Sequence, residues 1–217
     1  MSLLNVNQIE ASTGTTLKLK EQTIQIQDTS SNNMISASQG GAVVLAHSTS
    51  AKLSTTSDGI DINSGNITFD TASKGIYLGV TTPTASNLLD DYEEGTWTPA
   101  INFGGSSTGL TYTQQTGVYT KVGSLVVASF FLLLSSKGSS TGTANLAGFP
   151  FAMGTANTGA TNVYTDRISM TNGVLGVYLA SGTAATLYNQ VSGTNSVVTN
   201  THFANDSFIS GRLTYQV

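Results

Sequence analysis

The sequence predicts an all-β protein: an N-terminal trimeric β-shaft of short strands followed by a C-terminal, jelly-roll-like β-sandwich head. Three observations carry this. Thr, Ser, Gly and Asn fill nearly half of the 217 residues, and all four are poor or mediocre helix formers. Only 9% of residues are charged, against about a quarter in an average protein, yet 39% are hydrophobic, so the composition is not that of a disordered chain. Finally, the apolar residues recur with a period of two, in short runs separated by turn-forming stretches.

Aromatic residues divide the chain. Of the Phe, Tyr and Trp residues only Phe69 and Tyr77 precede residue 87. Aromatics supply much of a core's buried area, so the first part cannot build an ordinary core by itself. Instead it carries short alternating pairs: Leu17 and Leu19, Ile24 and Ile26, Val43 and Leu45, Ile60 and Ile62, Ile67 and Phe69, Ile76 and Leu78. Two apolar side chains per strand do not stabilise an isolated hairpin. Three identical chains around an axis would supply the missing surface, so Leu17, Leu19, Ile24, Ile26, Ile60, Ile62, Ile67, Phe69, Ile76 and Leu78 are the expected core of an intertwined shaft over residues 1–79. The alternative is a thin open sheet packed on the C-terminal domain.

Residues 80–95 read as a linker and an acidic helical turn, with a cap at Ser86 or Asn87 and Gly95 to end it. The turn gathers Asp90, Asp91, Glu93 and Glu94 without the spacing of a calcium loop, and the expectation is a solvated acidic turn. The head follows over 96–217, with strands expected at 96–103, 110–115, 117–123, 124–136, 143–149, 162–170, 174–181, 185–192, 196–203 and 208–217. Gly, Asn and Ser turns separate them at sandwich spacing. The apolar run from Leu125 to Leu134 reads as a strand buried on both faces. In the last strand Ile209, Gly211, Leu213, Tyr215 and Val217 alternate with polar positions.

Little in the chain points to catalysis. There is no Cys, the two His (His47 and His202) stand among Ser, Thr and Asn, and neither a phosphate-binding glycine loop nor a nucleophile elbow occurs. The expectation is no enzyme, no cofactor and no metal. With a net charge of −4 and no basic cluster, no nucleic-acid partner is expected; no apolar run is long enough for a membrane helix, and the N-terminus lacks the pattern of a signal peptide. Binding is more plausible. Tyr164, Asp166 and Arg167 concentrate three residue types suited to sugar contacts, although Tyr164 also reads as a core residue and Asp166–Arg167 as a solvated pair.

The segment from Leu88 to Phe151 resembles a module of bacteriophage tail-fibre and related appendage proteins, of marine and cyanophage type. Its marks are LDDYEEGTWTP (Leu89 to Pro99), TGVYTKVG (Thr116 to Gly123) and KGSSTGT ahead of GFPF. The resemblance implies a homotrimeric virion appendage, joined to another virion protein through its N-terminus and contacting a host-surface glycan or protein through its head. It transfers no catalytic residue. A head fibre or capsid-decoration protein is the alternative in the structural class, and a polysaccharide-degrading tailspike the alternative among enzymes.

Overall fold

The computed structural model describes residues 23–154, 159–179 and 182–217, so Leu17 and Leu19 lie outside the described residues. The chain divides into two compact units between Asp70 and Thr71.

The first unit is a single antiparallel meander. Strands β1 (Thr23–Gln27), β2 (Asn33–Ser38), β3 (Val43–His47), β4 (Ser50–Thr55) and β5 (Ile60–Ile62) pair in sequence order. Local chemistry makes the turns. Asp28 accepts hydrogen bonds from the backbone N–H groups of Ser30 (2.8 Å) and Asn32 (2.9 Å), and the Asn32 amide and backbone hold its carboxyl below the usual carboxylate range. Ser48 and Thr49 both adopt positive φ (48° and 70°), the requirement of a two-residue hairpin whose twist suits its strands.

Register decides what this sheet presents. Directly opposed residues share a face. One row runs Ile26, Ile35, Leu45, Leu53, Ile62; beside it lie Ile24, Ala37 and Val43, and then Thr55 and Ile60. The other face carries Gln25, Ser36, Val44, Ser54 and Asp61. The sheet is therefore apolar on one side and mainly polar on the other. On the apolar side Ile26 is 50% exposed, Leu45 41% and Ile60 65%.

Some expected shaft residues fall elsewhere. Ile67 and Phe69 are exposed and lie in no strand, because two apolar side chains without a neighbouring ladder do not hold one. Ile76 sits in the two-residue strand β6 (Ile76–Tyr77), which pairs with β7 (Leu88–Leu89); Leu78 follows it, and both belong to the second unit. Strands β2 and β4 were not expected. The helical reading of residues 87–95 is also corrected. The only helical geometry there is a single 3-10 turn at Ala85–Asn87, and Tyr92–Trp97 is extended because it ladders along residues 117–122.

The second unit is a ten-stranded sheet rolled into two layers. Its elements are β8 (Tyr92–Trp97), β9 (Ala100–Phe103), β10 (Leu110–Val122), β11 (Leu125–Lys137), β12 (Ala144–Ala147), β13 (Gly159–Ile168), β14 (Val174–Leu179), β15 (Ala184–Val191), β16 (Thr194–Val197) and β17 (Phe203–Gln216). The order is β8-β10-β11-β17-β13-β14-β15-β12-β9, with β16 beside β15. Two features fold it over. The first half of β13 pairs with β14 and the second half with β17, so one strand serves both layers. The end strands β8 and β9 are joined by Thr98–Pro99 alone, which brings the two edges of the sheet together.

Between the layers lies one apolar core. Trp97, Val126, Ala128, Phe130, Leu132, Ile209, Leu213 and Tyr215 come from one layer; Ile101, Phe103, Leu146, Val177, Leu179 and Leu187 come from the other. The final strand alternates as expected. The run Leu125–Leu134 does not match its expectation: alternate residues are buried, but Leu125 is exposed and Val127, Phe131 and Leu133 are only half-buried.

Trp97 locks the closure. Its ring stacks on Phe149 (5.6 Å, 13°) and meets Phe130 edge-on (6.2 Å). Gly117 lies directly opposite on β10, and the indole crosses it so that Nε1 donates to the Ser129 carbonyl on β11 (3.1 Å). A Cβ on residue 117 would sit 2.5 Å from Nε1, so the glycine is a steric requirement. Gly117→Val should cost about 1–3 kcal/mol, the usual range for overpacking. Urea titration followed by tryptophan fluorescence checks this, and an unchanged midpoint would contradict the packing described.

The tyrosines give a second handle. Burial pushes the Tyr215 hydroxyl up to about 12, and this hydroxyl donates a hydrogen bond to the Phe151 carbonyl (3.2 Å). Burial also raises Tyr112, which accepts a hydrogen bond from the Ile101 N–H (2.8 Å). A phenol that ionises later in the folded state than in the unfolded one stabilises the fold fully below about pH 10, the unfolded value. That contribution disappears as the pH climbs toward the folded value of about 12 for Tyr215. Alkaline unfolding should therefore fall in this window, and Tyr215→Phe should move its midpoint to higher pH, as read by absorbance at the phenolate band and circular dichroism.

Candidate functional site

The acidic segment shows how strand geometry redistributes charge. Period-two spacing puts Asp91 and Glu93 on one side of the chain and Tyr92 and Glu94 on the other. Lys121 pairs with Asp91, the Tyr119 hydroxyl donates to Glu93, and the Tyr92 hydroxyl donates to Glu94. Each of these two hydroxyls is raised chiefly by its hydrogen bond to the carboxylate. All four carboxylates are exposed, as expected of a solvated segment, and Asp91, Glu93 and Glu94 are in addition engaged within the protein. Lys121 is the sequestered partner: its side chain is 10% exposed against 48% for Asp91, and its ammonium lies 5.6 Å from the centre of the Phe151 ring. Removing the carboxylate strands a buried cation, whereas removing the cation leaves a carboxylate that water can reach. Asp91→Ala should cost about 1–3 kcal/mol and Lys121→Met clearly less. Urea midpoints of the two variants test the order.

Tyr164, Asp166 and Arg167 do come together, on β13 where it runs beside β17. Tyr164 is 67% exposed, so it is not a core residue. Its ring leans on Phe208 (5.6 Å), which in turn packs against Phe131 (4.7 Å). The ladder slips between Asp166 and Ile168, and Arg167 takes φ +57°. Buried Ser207 anchors this bulge by donating to the Arg167 carbonyl (2.5 Å) while accepting from the Ala204 N–H (2.8 Å). The guanidinium is thereby aimed at Asp206 (3.0 Å) and lies near Asp166 (3.8 Å). An aromatic surface beside two carboxylates and a guanidinium suits a polar ligand. Ser207 escapes a sequence reading because a bulge leaves no composition signal.

A second feature lies on the other layer and was not expected. Tyr178 on β14 and Tyr188 on β15 meet at 85°, with ring centres 6.1 Å apart. Gly176 is directly opposite Tyr188, and Asn195 of β16 is opposite Gln190. These five residues line an open groove of about 270 Å³, and among the described residues it contains no ionisable group other than the phenols. Next to it, opposed residues form a neutral ladder: Thr186 donates to the Asn145 side-chain oxygen (3.1 Å), and the Asn145 amide donates to Asn102 (3.0 Å).

His47 ends β3, and His202 closes a short 3-10 turn, where Nδ1 accepts from the Thr199 N–H (3.1 Å). Among the described residues no group of three or more His, Asp and Glu is placed to hold a metal ion, and no helix is long and apolar enough to cross a membrane. No family model matches the chain, and no curated protein or solved structure is significantly similar to it.

Proposed function

We propose that this chain is the subunit of a homotrimeric phage tail fibre, in which the N-terminal sheets pack together as a shaft and a jelly-roll-like sandwich head contacts a host-surface glycan or protein. The observation that carries the reading is the open apolar face of the first unit. A one-layered sheet must bury its apolar side against another layer. Ile26, Ile35, Val43, Leu45, Ile60 and Ile62 are all more than a third exposed on that side. Fully burying such a side chain contributes roughly 1.5–3 kcal/mol, so leaving several half-exposed forfeits an amount comparable to a domain's whole stability. Copies of the same face offer a partner of matching chemistry.

The head adds support. The outer side of the β8-β10-β11-β17-β13 layer carries exposed Val118, Val122 and Leu125 beside half-buried Val127 and Phe131. The threefold number and the virion setting come from the resemblance of residues 88–151 to phage appendage modules. On this reading the N-terminal residues attach to another virion protein, and the repeated heads bind through many weak contacts.

Light scattering of the full chain should give three times the 22.4 kDa chain mass. Ile35→Asp and Leu45→Asp, at the centre of the apolar face, should each dissociate it, since each places a charge in a buried apolar contact. A monomeric wild type, or intact trimers of both variants, would overturn the shaft. Labelled protein should decorate susceptible cells and not resistant ones; a decoration protein without a receptor would bind neither.

A further inference from the structure

We infer that the groove formed by Gly176, Tyr178, Tyr188, Gln190 and Asn195 binds a neutral pyranose ring, the sugar standing on a tyrosine face with its hydroxyls held by the two amides. The glycine is the first argument. Gly176 lies inside a strand with ordinary extended backbone, where a missing side chain weakens the ladder. Its neighbour Gln190 folds over the vacated position, and a Cβ there would sit 2.5 Å from the Gln190 side-chain carbon. A branched residue at 176 would fill the depression and favour the strand. What the glycine provides is space beside the half-buried ring of Tyr188.

The lining supplies the chemistry of a sugar. A pyranose has an apolar face of C–H groups, which packs on an aromatic ring, and a rim of hydroxyls that each donate and accept. Tyr178 and Tyr188 stand nearly perpendicular, so one ring can floor the groove while the other forms a wall. The side chains of Gln190 and Asn195 each present an amide donor and acceptor at the rim. Among the described residues no charged group lines the groove, which selects a neutral sugar over a uronic or sialic acid. The volume, about 270 Å³, lies just below the range of pockets that enclose drug-sized ligands and fits one ring. A ligand of that size in an open groove should bind with a dissociation constant on the order of millimolar.

The biological meaning rests on reading the head as a recognition module, but the binding itself needs only one chain. The test is saturation-transfer NMR on the full chain, with the methyl pyranosides of glucose, galactose, mannose and N-acetylglucosamine as probes at about 10 mM. The expected result is transfer from protein to the C–H protons of one sugar face for at least one probe. Tyr188→Phe should retain it. Tyr188→Ala should weaken it about tenfold or more, and so should Gly176→Ala, which fills the groove without removing a ring. Should Tyr188→Ala fail to fold, Gly176→Ala decides. No transfer with any probe, transfer unchanged in both groove variants, or tighter binding of methyl glucuronide than of methyl glucoside would overturn the proposal. Failure here alongside selective decoration of susceptible cells would place recognition elsewhere on the head, at Tyr164–Arg167 or beyond. Sugar binding by a chain that proves monomeric or ignores host cells would overturn the fibre and leave the groove standing.

Discussion

A sheet one layer thick has no inside, and that constraint governs the N-terminal unit. Every strand from β1 to β5 contributes to the same apolar side, because hairpin turns of fixed length hold the register. A slip of one residue at any turn would send an isoleucine pair to the polar side. Turn residues that hold an unfavourable backbone, Ser48 and Thr49 above all, therefore preserve a surface as well as a fold. Hydrogen bonds within the meander satisfy the backbone of its central strands; they do nothing for the exposed isoleucines. Only a second layer can do that, and a second layer is what the proposed self-association would provide.

The head solves the same problem within one chain. Its sheet is long enough to roll over, with β13 serving both layers and Thr98–Pro99 joining the two end strands. Trp97 sits at that seam and spans three strands, from its own position on β8, across Gly117, to the Ser129 carbonyl. The closed core then frees both outer sides of the roll for other uses. One side carries apolar residues around the bulge at Arg167. The other carries tyrosines and amides without charge. The two sides differ in chemistry, so association and recognition need not compete for the same surface.

Much of this was legible in the sequence, and what was not has a physical reason. Alternation revealed Ile24 with Ile26 and Ile60 with Ile62, because each pair stands within one strand. Ile35 with Ala37, and Leu53 with Thr55, are half-disguised by small or polar members, and only pairing across strands shows that they extend the same rows. Leu125–Leu134 read as doubly buried since composition counts apolar residues and not layers. The acidic segment looked helical because four carboxylates crowd into five residues; in extended backbone Asp91, Glu93 and Glu94 sort to alternate sides and meet Lys121, Tyr119 and Tyr92. Tyr164, Asp166 and Arg167 were found as neighbours in sequence, but Asp206 and Ser207, which position the arginine, come from another strand. The groove was missed for the same reason: its five residues are divided among β14, β15 and β16, and its central member is a glycine.

A shallow groove with one aromatic floor and two amides cannot hold a monosaccharide tightly, since few atoms are in contact and most of the sugar stays in water. An appendage need not bind tightly at each site. Once one head has engaged, its partners search a small volume around a dense surface polymer, and their effective concentration, rather than the strength of any single contact, sets the residence time. Weak sites are then an advantage, because individual contacts can break and re-form while the particle stays attached. That economy requires copies held at fixed separation. On the proposed reading the part that would hold them is the sheet whose apolar side has no partner among the described residues, and the thin N-terminal unit and the shallow groove would then answer a single requirement.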